Sequence, residues 1–223
     1  MGWGRMRDKI KGVAAELLIK HGYRGLRFGD IAARLGTTRA NIHYHFGTKD
    51  RLVEEVVDDY LRETLARFRA IWTDEGDSFD DKIRATMAFN RERYRRFNRR
   101  ADRGGRPWSL IARMRLERDL LSERTDAGLS NFGAELDSMI TAAVELAKER
   151  GELAPEAPAR DIALQVVAIA NSAGSITQDV GGFEALEQLY LGFARIVAHA
   201  YGRGAEAGAV RAAGRSSSLV RAG

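Results

Sequence analysis

Apolar residues recur at helical spacing through most of this chain, interrupted by only three prolines, Pro107, Pro155 and Pro158, and the pattern predicts an all-α fold. In the first segment Ile10, Val13, Ala14, Leu17 and Leu18 share one face, and Gly22 in "HGY" supplies a C-terminal stop. Two short helices follow, about Phe28 to Leu35 closed by Gly36, and about Arg39 to Phe46 with Thr37 or Thr38 as N-cap and Gly47 as terminator. From Lys49 one stripe, including Leu52, Val56, Tyr60, Leu65, Phe68 and Trp72, persists for about 24 residues, a rod of roughly 36 Å. Beyond the loop "TDEGDS" the pattern predicts helices from about Phe79 to Asn98, Trp108 to Leu121, Asp126 to Arg150, Ala159 to Gln178 and Phe183 to Tyr201. The breaks fall at "RRADRGGRP" and "GELAPEAP".

This pattern suggests a head over residues 1–48, a helical body over 49–201, and a tail over 202–223 whose Ala/Gly/Ser/Arg composition predicts disorder. At 223 residues and 44% apolar content the chain can bury a real core. No run approaches the roughly 18 apolar residues of a membrane span, and "MGWGRMRDKIKG" lacks the apolar stretch of a secretory signal, so a cytoplasmic, non-membrane protein is expected. The absence of cysteine excludes disulfides, thiolate metal sites and cysteine nucleophiles.

Charge is unevenly placed. Residues 1–51 carry eleven Lys/Arg against four acids, a net +7, while the remainder balances to −2. A basic head on a near-neutral body is the electrostatic footprint of a nucleic-acid reader, although a solvated basic face would look the same by charge alone.

Two short helices joined by a Gly-containing turn, with a third before them, form a helix-turn-helix, whose second helix enters the major groove. Ile31, Ala32 and Leu35 are expected to pack inward, and Ile42 and Phe46 to anchor the second helix. That leaves Arg39, Ala40, Asn41, His43 and Tyr44 facing out or sideways. Arg39 can fork onto guanine, Asn41 can pair with adenine or meet a phosphate, and Ala40 can touch a thymine methyl. The expected DNA-facing set is Arg27, Thr37, Thr38, Arg39, Ala40, Asn41, His43, Tyr44, His45 and Lys49. His43 and His45 could also suggest a metal pair, but at i, i+2 on a helix they point about 200° apart, and no metal site is expected. Nor does any nucleophile triad, phosphate loop or paired-carboxylate motif mark an enzyme or a cofactor site. Glu54, Glu55, Asp58 and Asp59 are expected to form the wet face of the long helix.

Gly36, Ile42, Tyr44, Phe46, Lys49 and Leu52, preceded by "DIAARLG", resemble the N-terminal pattern of TetR-family transcriptional regulators over Met6 to about Val57. The resemblance implies that Arg39 and Ala40 touch bases and that Asn41, His43, Tyr44 and Lys49 touch backbone or bases. His43 stands where tyrosine is usual, so its phosphate contact is expected to vary with pH around the reference value of about 6.5. Leu26 and Arg27 stand where a capping Thr or Ser is common. The resemblance further implies a homodimeric repressor on a near-palindromic double-stranded operator, released when a small-molecule effector enters the body.

Polar or flexible residues interrupting the core stripes, Met87, Asn90, Tyr94, Trp108, Met114, Phe132, Asn171 and Gln178, are the candidate ligand set. The arginines at 91, 93, 95, 96, 99 and 100 suit a solvated face better than an anion site. Ile162, Val166, Ile169, Ala173, Leu189, Phe193 and Val197 of the last two helices are the candidate dimer interface. Two other functions fit the same residues: a partner-controlled or architectural DNA binder without an effector pocket, and an all-α enzyme using the body.

Overall fold

The computed structural model describes residues 3–98 and 105–202, so the expected tail beyond Gly202 and Arg99 and Arg100 lie outside the described residues. The described residues form α1 (Trp3–Gly25), α2 (Phe28–Leu35), α3 (Arg39–Phe46), α4 (Lys49–Trp72) and α5 (Phe79–Phe97). They continue as α6 (Leu110–Arg115), a 3-10 turn (Arg118–Leu120), α7 (Glu123–Glu149), α8 (Ala159–Asp179) and α9 (Glu184–Tyr201). The fold class is all-α, as the spacing predicts.

α1 to α3 close around Ile10, Ala14, Leu18, Ile31, Ile42 and Phe46, and the first half of α4 completes that core with Leu52, Val53, Val56 and Val57. Ion pairs reinforce the seam between α1 and α4. Arg7 pairs with Glu55 and stacks 4.2 Å over the Phe46 ring, and Lys11 reaches Asp59 at 2.5 Å. Across the rod, Arg124 of α7 reaches Asp58 at 2.6 Å. The acids of α4 are therefore not simply its wet face: Glu55, Asp58 and Asp59 are half-buried partners of neighbouring helices. Burial opposes ionisation of Asp59, but hydrogen bonds from Lys11 and Arg62 outweigh it and hold its carboxyl below the ordinary value.

The upper half of α4 enters the body, where Phe68 meets Phe89 of α5 edge-on at 5.4 Å and Phe132 of α7 at 6.2 Å. At the end of the rod sits a buried cation. Lys82 of α5, 2% exposed, donates from Nζ to the carbonyls of Ile71 and Asp74, satisfying the C-terminus of α4 and complementing its dipole. The loop before α5 ends in a reciprocal cap between Ser78 and Asp81.

Two expected boundaries move. The helix expected from Trp108 to Leu121 is only Leu110–Arg115 plus the 3-10 turn, because Ser109 caps the start and Leu116 N–H bonds to the Arg113 carbonyl, tightening the last turn. The stop expected at Gly22 is a break with φ 69° and ψ −175°, after which the chain turns once more to Gly25.

The candidate dimer residues are largely spent inside one chain. Ile162, Val166, Ala173 and Val197 are buried in the α7–α8–α9 packing, and Ile169 and Phe193 are partly buried against it. Of the seven, only Leu189 is exposed, at 43%. The dominant periodic stripe of each helix serves the intramolecular core. A second, weaker stripe remains uncovered, with Leu164 at 57% and Ile196 at 67% exposure beside Leu189.

Candidate nucleic-acid interface

The turn between α2 and α3 depends on Gly36. Its φ of 62° and ψ of 38° lie in the left-handed region, where its N–H and that of Thr37 satisfy the Ala33 and Ala32 carbonyls at 3.5 and 3.0 Å. Thr38 then caps α3 by accepting from the Asn41 backbone N–H at 3.2 Å. Gly47, also at positive φ, ends α3, and Thr48 starts α4 by accepting from the Arg51 N–H. Four consecutive local signals thus hold an eight-residue helix against its neighbours at a set angle.

Helix α3 is two-faced. Ile42, His45 and Phe46 are buried, whereas Arg39, Ala40, His43 and Tyr44 are exposed, Tyr44 to 70%. The exposed groups form a strip with a guanidinium, a methyl, an imidazole and a phenol. His43 is steadied from below by the Phe28 ring, edge-on at 4.8 Å, and by a 2.7 Å hydrogen bond between Nδ1 and the Gly47 carbonyl. Since a carbonyl only accepts, Nδ1 carries the proton, and Nε2 is the nitrogen whose role changes with protonation.

The positions beside α3 are partly committed. Asn41 is half-buried and donates from Nδ2 to Thr37 Oγ1 at 2.9 Å, so the pair stiffens the turn and an adenine contact by Asn41 must compete with it. Thr38 is exposed but its hydroxyl oxygen serves as the cap. Arg27 is exposed at the N-cap of α2 and makes no side-chain capping bond, confirming the departure from a capping Thr or Ser. His45 is a correction: expected to face DNA, it is turned into the core between the Tyr44 and Phe46 rings. Two residues from His43 on a helix, it cannot share its outward face.

Lys49 sits at the start of α4 with Nζ 4.2 Å over the Tyr23 ring. Its ammonium is held below the ordinary value by burial and by the Arg27 charge, against the opposing pull of Asp50 and Glu117. Tyr23 in turn donates from its hydroxyl to Asp50, and burial together with this bond pushes the phenol up to about 12. Much of the basic head is internally neutralised: Arg7 and Lys11 pair with α4, and Arg34 with Glu16 at 3.3 Å. The cations left at the α3 end are chiefly Arg27, Arg39 and Lys49.

Among the clefts formed by the described residues, the candidate ligand residues are divided between two places. Asn90, Trp108, Phe132 and Asn171 line a cavity of about 20 Å³, room for about one water, and Trp108, Asn171 and Gln178 share a shallow cleft of about 150 Å³. Asn90 Nδ2 already donates to the Tyr190 hydroxyl at 2.9 Å and Trp108 Nε1 to Thr177 Oγ1 at 2.8 Å. Met114 is core, while Met87 and Tyr94 are partly buried against it. A wider cleft of about 490 Å³ opens between α4 and α5, lined by Tyr60, Thr64, Arg67, Phe89 and Arg93 among others. None of these five belongs to the expected ligand set, because each continues the helical pattern without interrupting it. Among the described residues no group of three or more His, Asp or Glu gathers as a metal site, and no helix is long and apolar enough to cross a membrane.

Residues 10–56 match the family described as "Bacterial regulatory proteins, tetR family". Over 53 residues the chain is 42% identical to the HTH-type transcriptional regulator QacR of Staphylococcus aureus, a stretch covering 24% of this chain and 28% of that protein. Over 65 residues it is 31% identical to the HTH-type transcriptional repressor KstR2 of Mycolicibacterium smegmatis, covering 29% of this chain and 32% of that one. The matches therefore span under a third of each relative. A TetR transcriptional regulator from Chloroflexus aurantiacus superposes with a TM-score of 0.74 at 22% identity, over 90% of this chain and 98% of that one. One from Agrobacterium tumefaciens does so with 0.72 at 21%, over 90% and 99%. Identities this low speak to the fold alone.

Proposed function

We propose that this chain, whose residues 10–56 match the TetR family and whose fold is similar to that of TetR regulators, is a homodimeric, sequence-specific DNA-binding regulator, a repressor released from its operator when a small molecule binds the body. The observation carrying this reading is the division of α3. Ile42, His45 and Phe46 fix the helix from within, and Arg39, Ala40, His43 and Tyr44 stand clear of the core on a surface bordered by Arg27 and Lys49. Arg39 serves as the base reader, Ala40 as a methyl contact, Tyr44 and His43 as groove-edge contacts, and Lys49 and Arg27 as phosphate ligands.

In this reading residues 1–48 are the DNA-binding unit and 49–201 the regulatory and dimerising unit, with α4 belonging mechanically to both. Two copies pair through the uncovered stripe of α8 and α9, Leu164, Leu189 and Ile196, rather than through the buried stripe. The pairing places two α3 helices about 34–36 Å apart, one turn of DNA, and a ligand acts by changing that spacing. Shifting a population from nearly all competent to nearly all incompetent requires a preference of about 5.5 kcal/mol between the two states.

Light scattering on Leu164→Glu/Ile196→Glu tests the assembly, with footprinting on a selected duplex alongside. Expected are a folded monomer for the variant, and for the wild type two protected segments in successive major grooves. A persistent dimer, or a single protected segment under the wild type, would overturn this arrangement.

A further inference from the structure

The cleft between α4 and α5 has a floor and a charge pattern that the DNA-reading function does not use. Tyr60 and Thr64 of α4 and Phe89 of α5 line it, and Arg67, Arg93, Arg95 and Arg96 border it against two carboxylates, Glu63 and Glu92. Arg93 is half-buried. Its guanidinium lies 5.1 Å from the Tyr60 ring, 5.3 Å from Phe89 and 5.4 Å from Trp108, and donates to the Tyr60 hydroxyl. The Arg67 guanidinium lies 5.5 Å from the same Phe89 ring. Neighbouring arginines have acids: Arg91 pairs with Glu187, and Arg96 approaches Glu16 at 3.9 Å. Among the described residues Arg67, Arg93 and Arg95 have no carboxylate within 4.0 Å.

We propose that this cleft binds a small aromatic oxyanion, a carboxylate or phosphate held by Arg67 and Arg93 beside the Tyr60 and Phe89 rings, as the effector of the regulator proposed above. A merely solvated arginine face would not hold one guanidinium against three aromatic rings. The three rings and the bond to Tyr60 restrict Arg93 in the free protein, so less side-chain entropy is lost when it meets an oxyanion. A volume of about 490 Å³ suits a ligand of one or two rings. The position also supplies a route to the head: Glu16 of α1 receives both Arg96 from this cleft and Arg34 from α2. An anion that draws Arg96 inward takes it from that shared acid. The effector class rests on the regulator reading, so the two need separate readouts.

Calorimetric titration of the full-length chain without DNA, using benzoate, 2-naphthoate, 1-naphthyl phosphate and the neutral 2-naphthamide, tests the site. At least one oxyanion should bind about tenfold more tightly than 2-naphthamide, and that affinity should fall about tenfold in Arg67→Gln and in Arg93→Gln. Which of the two naphthyl anions wins identifies the headgroup. Arg67 is exposed, so its variant reports even if Arg93→Gln melts early by circular dichroism. Equal binding of the amide, unchanged affinity in Arg67→Gln, or no heat from any oxyanion would overturn the proposal. Binding of a selected duplex by the same preparation reports on the regulator reading independently.

Discussion

The Glu117 carboxylate accepts a hydrogen bond from the Tyr23 backbone N–H at 2.6 Å, tying the segment after α6 to the break in α1. The contact exists because position 22 is glycine: a Cβ there would lie 2.4 Å from Glu117 Oε2, and the φ of 69° would strain any other residue. Tyr23 carries the connection onward, its ring under Lys49 and its hydroxyl on Asp50 at the start of α4. Body and DNA-reading head thus touch here as well as through α4 and through the approach of Arg96 to Glu16.

If this chain of contacts transmits the ligand signal, Glu117→Ala should weaken effector-driven DNA release more than it weakens DNA binding. The lost charge-assisted bond should cost about 1.5–3 kcal/mol of stability, and Glu117→Gln, which still offers an acceptor, should lose less. Denaturant melts and duplex titrations with and without effector measure both. Equal loss of binding and release in both variants would remove Glu117 from the route.

The raised phenol of Tyr23 carries a pH prediction. A folded value of about 12 exceeds the unfolded value of about 10. Its contribution is therefore fully present below about pH 10 and is lost as pH rises through about 12. Wild type should lose stability across that alkaline window by more than Tyr23→Phe does, as followed by chemical denaturation at each pH.

Gly36→Ala should cost about 1–2 kcal/mol, from left-handed strain alone, because a Cβ there meets nothing within 4 Å. Gly36→Asn should cost less, since a short amide tolerates that region. Thermal melts of the two variants, compared with duplex affinity, separate a stability loss from a misplaced α3.

Lys82→Met replaces the buried ammonium by an apolar side chain of similar length and strands the Ile71 and Asp74 carbonyls. A loss of about 1–3 kcal/mol is expected, with DNA affinity per folded molecule unchanged. Melting temperature and duplex titration on the same sample check both halves.

The head was legible in the sequence because its signals are local: Gly36, Thr38, Gly47 and Thr48 each act within a few residues, and the Ile42 and Phe46 spacing orients α3 directly. His45 departs from expectation because its polar side chain suggests an outward position, whereas the period set by Ile42 and Phe46 turns it toward the core. For the dimer stripe, periodicity reports the strongest apolar face, and most of that face is already used within one chain. The α4–α5 cleft could not be found that way. Arg67, Phe89 and Arg93 look like ordinary helix positions until two helices bring them together, and only the pairing of nearby Arg91 and Arg96 with acids shows which arginines are left over.

The base-reading role of α3 is tested most directly by selecting bound duplexes from a random DNA library with wild type and Arg39→Ala. A near-palindromic site with half-sites about one helical turn apart is expected, with a loss of about 1–3 kcal/mol and relaxed preference at one base pair per half-site in the variant. Salt-sensitive binding with no enriched sequence, or an identical selected site with Arg39→Ala, would contradict it.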